Sequence, residues 1–230
     1  MKSTKITKSA QPARRSYDDA CGAAHALDLL GDRWALLVVR ELMLGPKRFG
    51  DLKVDLPGIS ANVLTQRLDE LEGTGIVQRT VLPPPASVAA YELTPWGYES
   101  EPIFMALGRW GARSPLHDPS LPVSAVSIML SFRTMFQHER AKGLTLTAAI
   151  VAGSEQFVVT IRHGKLTVSR GEAKAADFTF SAPEARIVAA AVYGGQSLAA
   201  LEKAGVLAIA GDRALAKRFV TLFPLPEKVG

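Results

Sequence analysis

Residues 57–72 read PGISANVLTQRLDELE, and this stretch decides the fold. Pro57-Gly58 makes a turn and Ser60 is a natural N-cap, so a helix is predicted over 61–72, stopping at Gly73 or Gly75. Turned at about 100° per residue, Leu64, Leu68 and Leu71 share one side and form its core face. Asn62, Thr65, Gln66 and Asp69 gather on the opposite side. That outer face is amide- and hydroxyl-rich, unlike the Lys/Glu mixture of a solubility face. Asn and Gln donate to and accept from base edges in a major groove, and Thr offers a methyl or a hydroxyl. Arg67 lies on the flank, where its stem can pack while its guanidinium reaches a phosphate. A polar surface helix with no further role has the same composition, so this helix alone leaves both readings open.

Its neighbours narrow the choice. A short helix through His25, Leu27 and Leu30 ends at Gly31, and Asp32 is the expected N-cap of a helix over 33–44. There Trp34, Leu37, Val38 and Leu42 form an apolar stripe that stops at Gly45-Pro46. A third helix, 47–56, turns Phe49 and Leu52 inward and begins with Lys47 and Arg48, placed to grip a DNA backbone. Beyond the polar helix, 76–82 and 89–93 read as strands around a Pro83-Pro84-Pro85 loop tip, with Arg79 on the first of them. Thr94-Pro95 then opens a helix expected to run unbroken to Trp110. Helices, a two-stranded ribbon and a closing helix make a winged helix-turn-helix. Lys47, Arg48, Ser60, Asn62, Thr65, Gln66, Arg67 and Arg79 are its candidate DNA-contact residues.

At this point the residues carry a family resemblance. Asp28-Leu29-Leu30-Gly31-Asp32-Arg33-Trp34, Arg40-Glu41-Leu42, Gly45-Pro46-Lys47-Arg48-Phe49, Leu56-Pro57-Gly58-Ile59-Ser60, Leu64-Thr65-Gln66-Arg67-Leu68 and Tyr91-Glu92-Leu93-Thr94 resemble HxlR-type bacterial transcription regulators. The likeness runs from about Tyr17 to Arg113. It implies a homodimer on double-stranded DNA with a near-palindromic operator, joined through 95–110 (Ile103, Met105, Leu107, Trp110) and the first helix. Two such recognition helices would enter major grooves about 34–36 Å apart. Cys21, the single cysteine, stands where the family commonly has a cysteine followed by proline, although Gly22 follows here. Some relatives sense oxidants there. A helix N-terminus favours thiolate, adjacent Asp18 and Asp19 oppose it, and a thiol filling small core space is the alternative reading.

The second half has a different grammar. An apolar helix is expected over 123–137, then strands over 144–151, 157–162, 166–170 and 177–180, helices over 183–191 and 198–203, a strand over 206–210 and a last helix over 213–222. Tyr193-Gly194-Gly195, Ala200-Leu201, Ala204-Gly205 and Val206 to Gly211-Asp212 resemble the sterol carrier protein type two fold over about Leu144 to Pro224. That likeness implies a mixed sheet and helices around an apolar cavity for a lipid-like small molecule. Met129, Phe132, Phe136, Phe157, Phe178, Phe180, Val192 and Tyr193 are the candidate lining, each of which could equally be core.

Composition bounds the rest. The 230 residues are 47% hydrophobic and 21% charged, an ordinary globular balance, with 27 Lys and Arg against 22 Asp and Glu. The excess is local: residues 1–16 carry five cations and no acid, 17–113 nine cations against 13 acids, and 114–230 thirteen against nine. One cysteine excludes an intrachain disulfide and a multi-Cys metal site. No apolar run approaches the roughly 20 residues of a membrane helix, and no apolar stretch follows the basic N-terminus, so no membrane partner and a cytoplasmic location are expected. The four histidines are scattered, and no nucleophile elbow, zinc-protease motif, phosphate loop or dinucleotide fingerprint occurs, so neither catalytic nor metal residues nor a cofactor are expected.

The sequence reading is therefore an α+β chain: a basic tail (1–16), a winged helix DNA-binding and dimerisation domain (17–111), a Pro-rich linker (112–122) and a sterol-carrier-like ligand-binding domain with a mixed sheet and an apolar cavity (123–230). Its expected function is transcription regulation, with DNA affinity set by an apolar ligand and coupled through the linker or the 95–110 helix. Two rivals stand beside it. In one, Cys21 is a redox or electrophile sensor and the C-terminal domain is structural; in the other, the chain is a lipid-transfer protein or enzyme with a vestigial DNA module.

Overall fold

The computed structural model describes residues 16–230, and the basic cluster of the expected tail lies outside them. The N-terminal half runs α1 (Gly22–Leu30), α2 (Ala35–Leu42), α3 (Phe49–Asp55), α4 (Ala61–Gly73), β1 (Val77–Val81), β2 (Ala89–Leu93), α5 (Pro95–Tyr98) and α6 (Glu101–Ala112). The antiparallel β1–β2 ribbon pairs Val77 with Leu93 and Val81 with Ala89. Its root is pinned by Thr94, whose Oγ1 donates to Gly75 O at 2.6 Å and accepts from Gly97 N–H at 3.0 Å. Gly97 is required there, because a Cβ would lie 2.2 Å from Ile76 O.

Two local expectations are corrected. Asp32 does not cap α2: Trp34 occupies the N-cap position in a left-handed conformation (φ 80°) without a side-chain cap bond, and the Asp32 carboxylate pairs with Arg67 instead. The helix after Thr94 is also not continuous. Pro102 stands in the first turn of α6, where it lacks the N–H that would continue the ladder from α5, and the chain re-starts at Ser100.

The C-terminal half begins with α7 (Ala125–Met135) and then builds β3 (Leu146–Ala152), β4 (Glu155–Arg162), β5 (Lys165–Arg170), β6 (Phe178–Ala182), α8 (Ala185–Tyr193), α9 (Leu198–Lys203), β7 (Ala208–Gly211) and α10 (Arg213–Val220). These strands form a mixed sheet in the order β5-β4-β3-β6-β7, with β3 and β6 parallel and the other pairs antiparallel. Alternation sets one face inward, as Leu146, Ala148, Ile150 and Ala152 of β3 show. Helices α7, α8 and α10 pack over the sheet.

Buried side chains of the two halves form one connected core, which runs from Val38, Leu64 and Leu68 through Val126 and Met129 to Ile150 and Phe219. Helix α7 joins them, packing on α2 and α6 on one side and on α8 and β5 on the other. The segment between α6 and α7 is laced to the chain's far end. Val229 N–H donates to Arg113 O at 2.8 Å, and Lys228 Nζ donates to Ser114 O at 2.8 Å.

Candidate nucleic-acid interface

Helix α4 is built as a presenting helix. Ser60 Oγ accepts from Val63 N–H at 3.2 Å, satisfying one of the donors that a helix start leaves free. Leu64, Leu68 and Leu71 are buried against α2 and the strand root, which fixes the roll of the helix. Asn62, Thr65, Gln66 and Asp69 are all exposed, as the periodicity predicts. Gln66 Nε2 donates to Glu70 Oε1 at 2.9 Å, a bond at one-turn spacing that pre-orients the amide and is exchangeable for a base edge. Asn62 and Thr65 are exposed beside it.

The cations around this helix divide into two kinds. Arg48 and Arg79 are exposed and held ready by acids. Arg48 makes a two-point contact with Asp51, Nε to Oδ2 at 2.9 Å and Nη2 to Oδ1 at 3.0 Å, so each raises the other's charge preference: the guanidinium shifts up and the carboxyl down. Arg79 Nε reaches Glu72 Oε2 at 3.0 Å while its guanidinium carbon sits 5.7 Å from the centre of the Tyr91 ring. A phosphate can replace either acid, since both pairs face water and contribute little to stability.

Lys47 and Arg67 are different, and the sequence reading of both is corrected. Lys47 is 3% exposed, and its ammonium is enclosed by Glu41, Asp55 and Glu155. Arg67 is 9% exposed and spans Asp32, before α2, to Glu70 on its own helix, with Nη1 2.6 Å from Glu70 Oε2. Neither cation is presented to a phosphate. Both tie the helices together from inside, because an acid stands within reach in the folded chain. Sequence reasoning did not single out those partners. The signal available was the set of acids flanking each cation, Glu41 and Asp55 about Lys47 and Asp32 and Glu70 about Arg67.

In the C-terminal half the eight candidate lining residues occupy a packed core. Phe132 stacks on Phe223 with ring centres 4.6 Å apart and meets Phe219 edge-on at 5.5 Å; Phe178 meets Phe219 at 5.4 Å and Phe180 at 5.0 Å. Met129, Phe136 and Phe157 are buried with them, while Val192 and Tyr193 are half-buried at the margin. The Tyr193 hydroxyl shares a 2.7 Å hydrogen bond with Ser131, and burial drives its acidity down. Two concavities stand out on the described surface. One, of about 400 Å³, lies around His138, Lys142 and His163, and the other is an open apolar groove of about 580 Å³ along α6. None of the eight lines either. Here these rings, at van der Waals contact, fill the space between helices and sheet.

The groove on α6 exposes Ile103, Leu107 and Trp110, the last at 75%. Helix α1 buries none of its residues, and Cys21 at its N-cap is exposed. The Cys21 thiol is made more acidic by the backbone N–H groups of Ala24 and Ala23, outweighing slight burial. Among the described residues no helix is long and apolar enough to cross a membrane, and no three His, Cys, Asp or Glu side chains are grouped to hold a metal ion.

Comparison with known proteins matches residues 29–117 to the HxlR-like helix-turn-helix family and residues 129–228 to the alkyl sulfatase C-terminal family. An uncharacterised HTH-type transcriptional regulator of Synechocystis, sll1512, is 41% identical over 92 residues, which span 40% of this chain and 68% of that one. The HTH-type transcriptional regulator YodB of Bacillus subtilis is 41% identical over 85 residues, 37% of this chain and 76% of the relative. The solved reduced form of YodB, at 37% identity, covers 43% of this chain and 98% of its own with a TM-score of 0.38.

Proposed function

Through its N-terminal part the chain belongs to the HxlR-like helix-turn-helix family, and on that premise we propose that it is a transcription regulator that reads operator DNA with the exposed face of α4. The observation that carries the reading is that face: Asn62, Thr65 and Gln66 lie outward on a capped helix whose other side is locked into the core. Arg48 and Arg79 supply backbone contacts, exchanging Asp51 and Glu72 for phosphates, while Ser60 shapes the helix start. Lys47 and Arg67 hold the scaffold. The unburied faces of α1 and α6, with Ile103, Leu107 and Trp110, meet a second copy, giving two recognition helices on one operator.

The C-terminal domain is the sensory half of this proposal, a sterol-carrier-like fold that takes an apolar small molecule. Its aromatic cluster of Phe132, Phe178, Phe180, Phe219 and Phe223 is the place where such a molecule would insert, by parting rings that are closed here. Such a ligand alters DNA affinity only if it favours one arrangement of the two halves over another. A second reading rests on Cys21, exposed and acidified at the N-cap of α1, as a thiol sensor.

The test of DNA reading is an operator selected from random sequence with the full chain, then measured against an Asn62→Ala, Gln66→Ala variant. Each lost base contact costs about 1–3 kcal/mol of discrimination, so operator affinity should fall at least tenfold while random-sequence affinity stays. Undiminished selectivity in the variant would end the proposal.

A further inference from the structure

Lys47 is a junction between four parts of the molecule. It lies between α2 and α3, and its main chain exchanges two hydrogen bonds with Tyr91 of β2, at 3.0 and 2.9 Å. Its ammonium reaches Glu41 Oε2 on α2 at 3.1 Å, Asp55 at the end of α3, and Glu155 Oε1 at the start of β4 at 3.3 Å. The last contact crosses from the DNA-binding half to the sheet domain. A second crossing meets the same cluster, because Ser124 Oγ, at the head of α7, donates to Glu41 Oε1 at 2.7 Å. Glu155 is itself braced by Arg170, whose guanidinium lies 5.2 Å from the centre of the Phe157 ring in the sheet core.

We infer that Glu155 and Ser124 are positioning residues for DNA binding: the C-terminal domain uses them to set, through Lys47, where the wing and α3 stand relative to α4. This inference rests on the DNA-binding reading above. A buried ammonium follows its carboxylates closely, since leaving one unpaired is costly. A shift of the β3–β4 turn or of the head of α7 therefore displaces Lys47, and its paired main chain moves Tyr91, on which the wing cation Arg79 rests. The Glu155 charge serves to place the ammonium more than to neutralise it. Glu41 and Asp55 already neutralise the ammonium from within the DNA-binding half, so a chain lacking the Glu155 charge keeps its folded winged helix.

The experiment compares the full chain with Glu155→Gln, using Glu172→Gln, exposed and without an ion pair among the described residues, as the control for net charge. Affinity is measured for a selected operator and for random-sequence DNA, and hydrogen exchange is followed at the Lys47 and Tyr91 amides. Expected for Glu155→Gln is operator binding weakened about tenfold, within the usual range of coupling between sites, with random-sequence affinity within twofold of wild type. The two amides should exchange faster while Glu172→Gln matches wild type. Equal weakening on both DNAs, or an operator affinity and exchange pattern identical to wild type, would overturn the inference. If the wild-type chain selects no sequence, the DNA-binding reading fails, and the exchange comparison still decides whether Glu155 holds the junction.

Discussion

At the scale of single residues, the same side-chain chemistry has opposite uses here depending on depth. Arg48 and Lys47 are adjacent, yet one guanidinium faces water and the other cation is sealed among acids. Burial alone would favour the neutral amine of Lys47, but Glu41, Glu155 and Asp55 outweigh it and hold the ammonium above its ordinary range. Asp55 is also pushed up, chiefly by burial, with Glu155 and Glu41 adding to it against the pull of Lys47. The lysine keeps its charge on the strength of all three acids together, while burial weakens Asp55 as an acid. The raised lysine stabilises the fold fully below the ordinary lysine value, and that contribution is lost as pH rises through the folded one. A Lys47→Met variant, which leaves buried Glu41 with Arg40 and Ser124 but takes the shared ammonium from it, Asp55 and Glu155, should lose about 1–3 kcal/mol in chemical denaturation at neutral pH; a loss under 1 kcal/mol would refute the cluster's role. Cys21 gives a kinetic prediction. Its acidified thiol should be alkylated with a pH midpoint below that of a free cysteine peptide, and an unshifted midpoint would remove the physical basis for a sensor at this position. For Lys47 the flanking Glu41 and Asp55 were the one legible sign, while its depth and its Glu155 partner were not, since an acid on another domain becomes a neighbour only on folding.

At the scale of elements, periodicity was the reliable guide. The core face of α4, its Ser60 cap and the outward set of Asn62, Thr65, Gln66 and Asp69 stand in the structure as the spacing predicts, because a 3.6-residue repeat leaves only one way to bury three leucines. Removing the cap hydroxyl in Ser60→Ala should cost about 1 kcal/mol. That loss would appear as a lower midpoint in thermal unfolding monitored by circular dichroism, and an unchanged midpoint would mean that packing alone sets this helix start. Local signals failed where two of them competed. Thr94-Pro95 is a strong helix start, but Pro102 seven residues later is another, and the chain obeys both with α5 and α6. Asp32 looked like a cap because caps are short-range; the guanidinium of Arg67, brought in from α4, won its carboxylate.

The whole molecule raises a question that the strong contrast between its two halves conceals. A proline-rich segment between a helical half and a sheet half suggests two independent units, and composition alone gives no reason to join them. The structure joins them at several places. Helix α7 sends Val126 and Met129 into a core continuous with Val38 and Leu64. Arg133 Nη1 meets Glu101 of α6 at 2.6 Å, and Arg109 Nη2 donates to Thr134 O at 2.9 Å. The segment after α6 is held by Lys228 and Val229 from the far end of the chain. The packing of apolar side chains across this boundary is the decisive term, because exposing them by separating the halves costs about 25 cal/mol for each Å² of apolar surface returned to water, while the half-buried Arg133–Glu101 pair beside it adds a smaller contribution. Separation would also open the buried Lys47 cluster, which makes partial unfolding costlier still. The full chain should therefore unfold in a single cooperative step, with the calorimetric and van't Hoff enthalpies equal. Two resolved transitions, one lost on removing the sheet domain, would show that the halves are beads on a linker, and any signal between them would then have to travel through the segment after α6 alone.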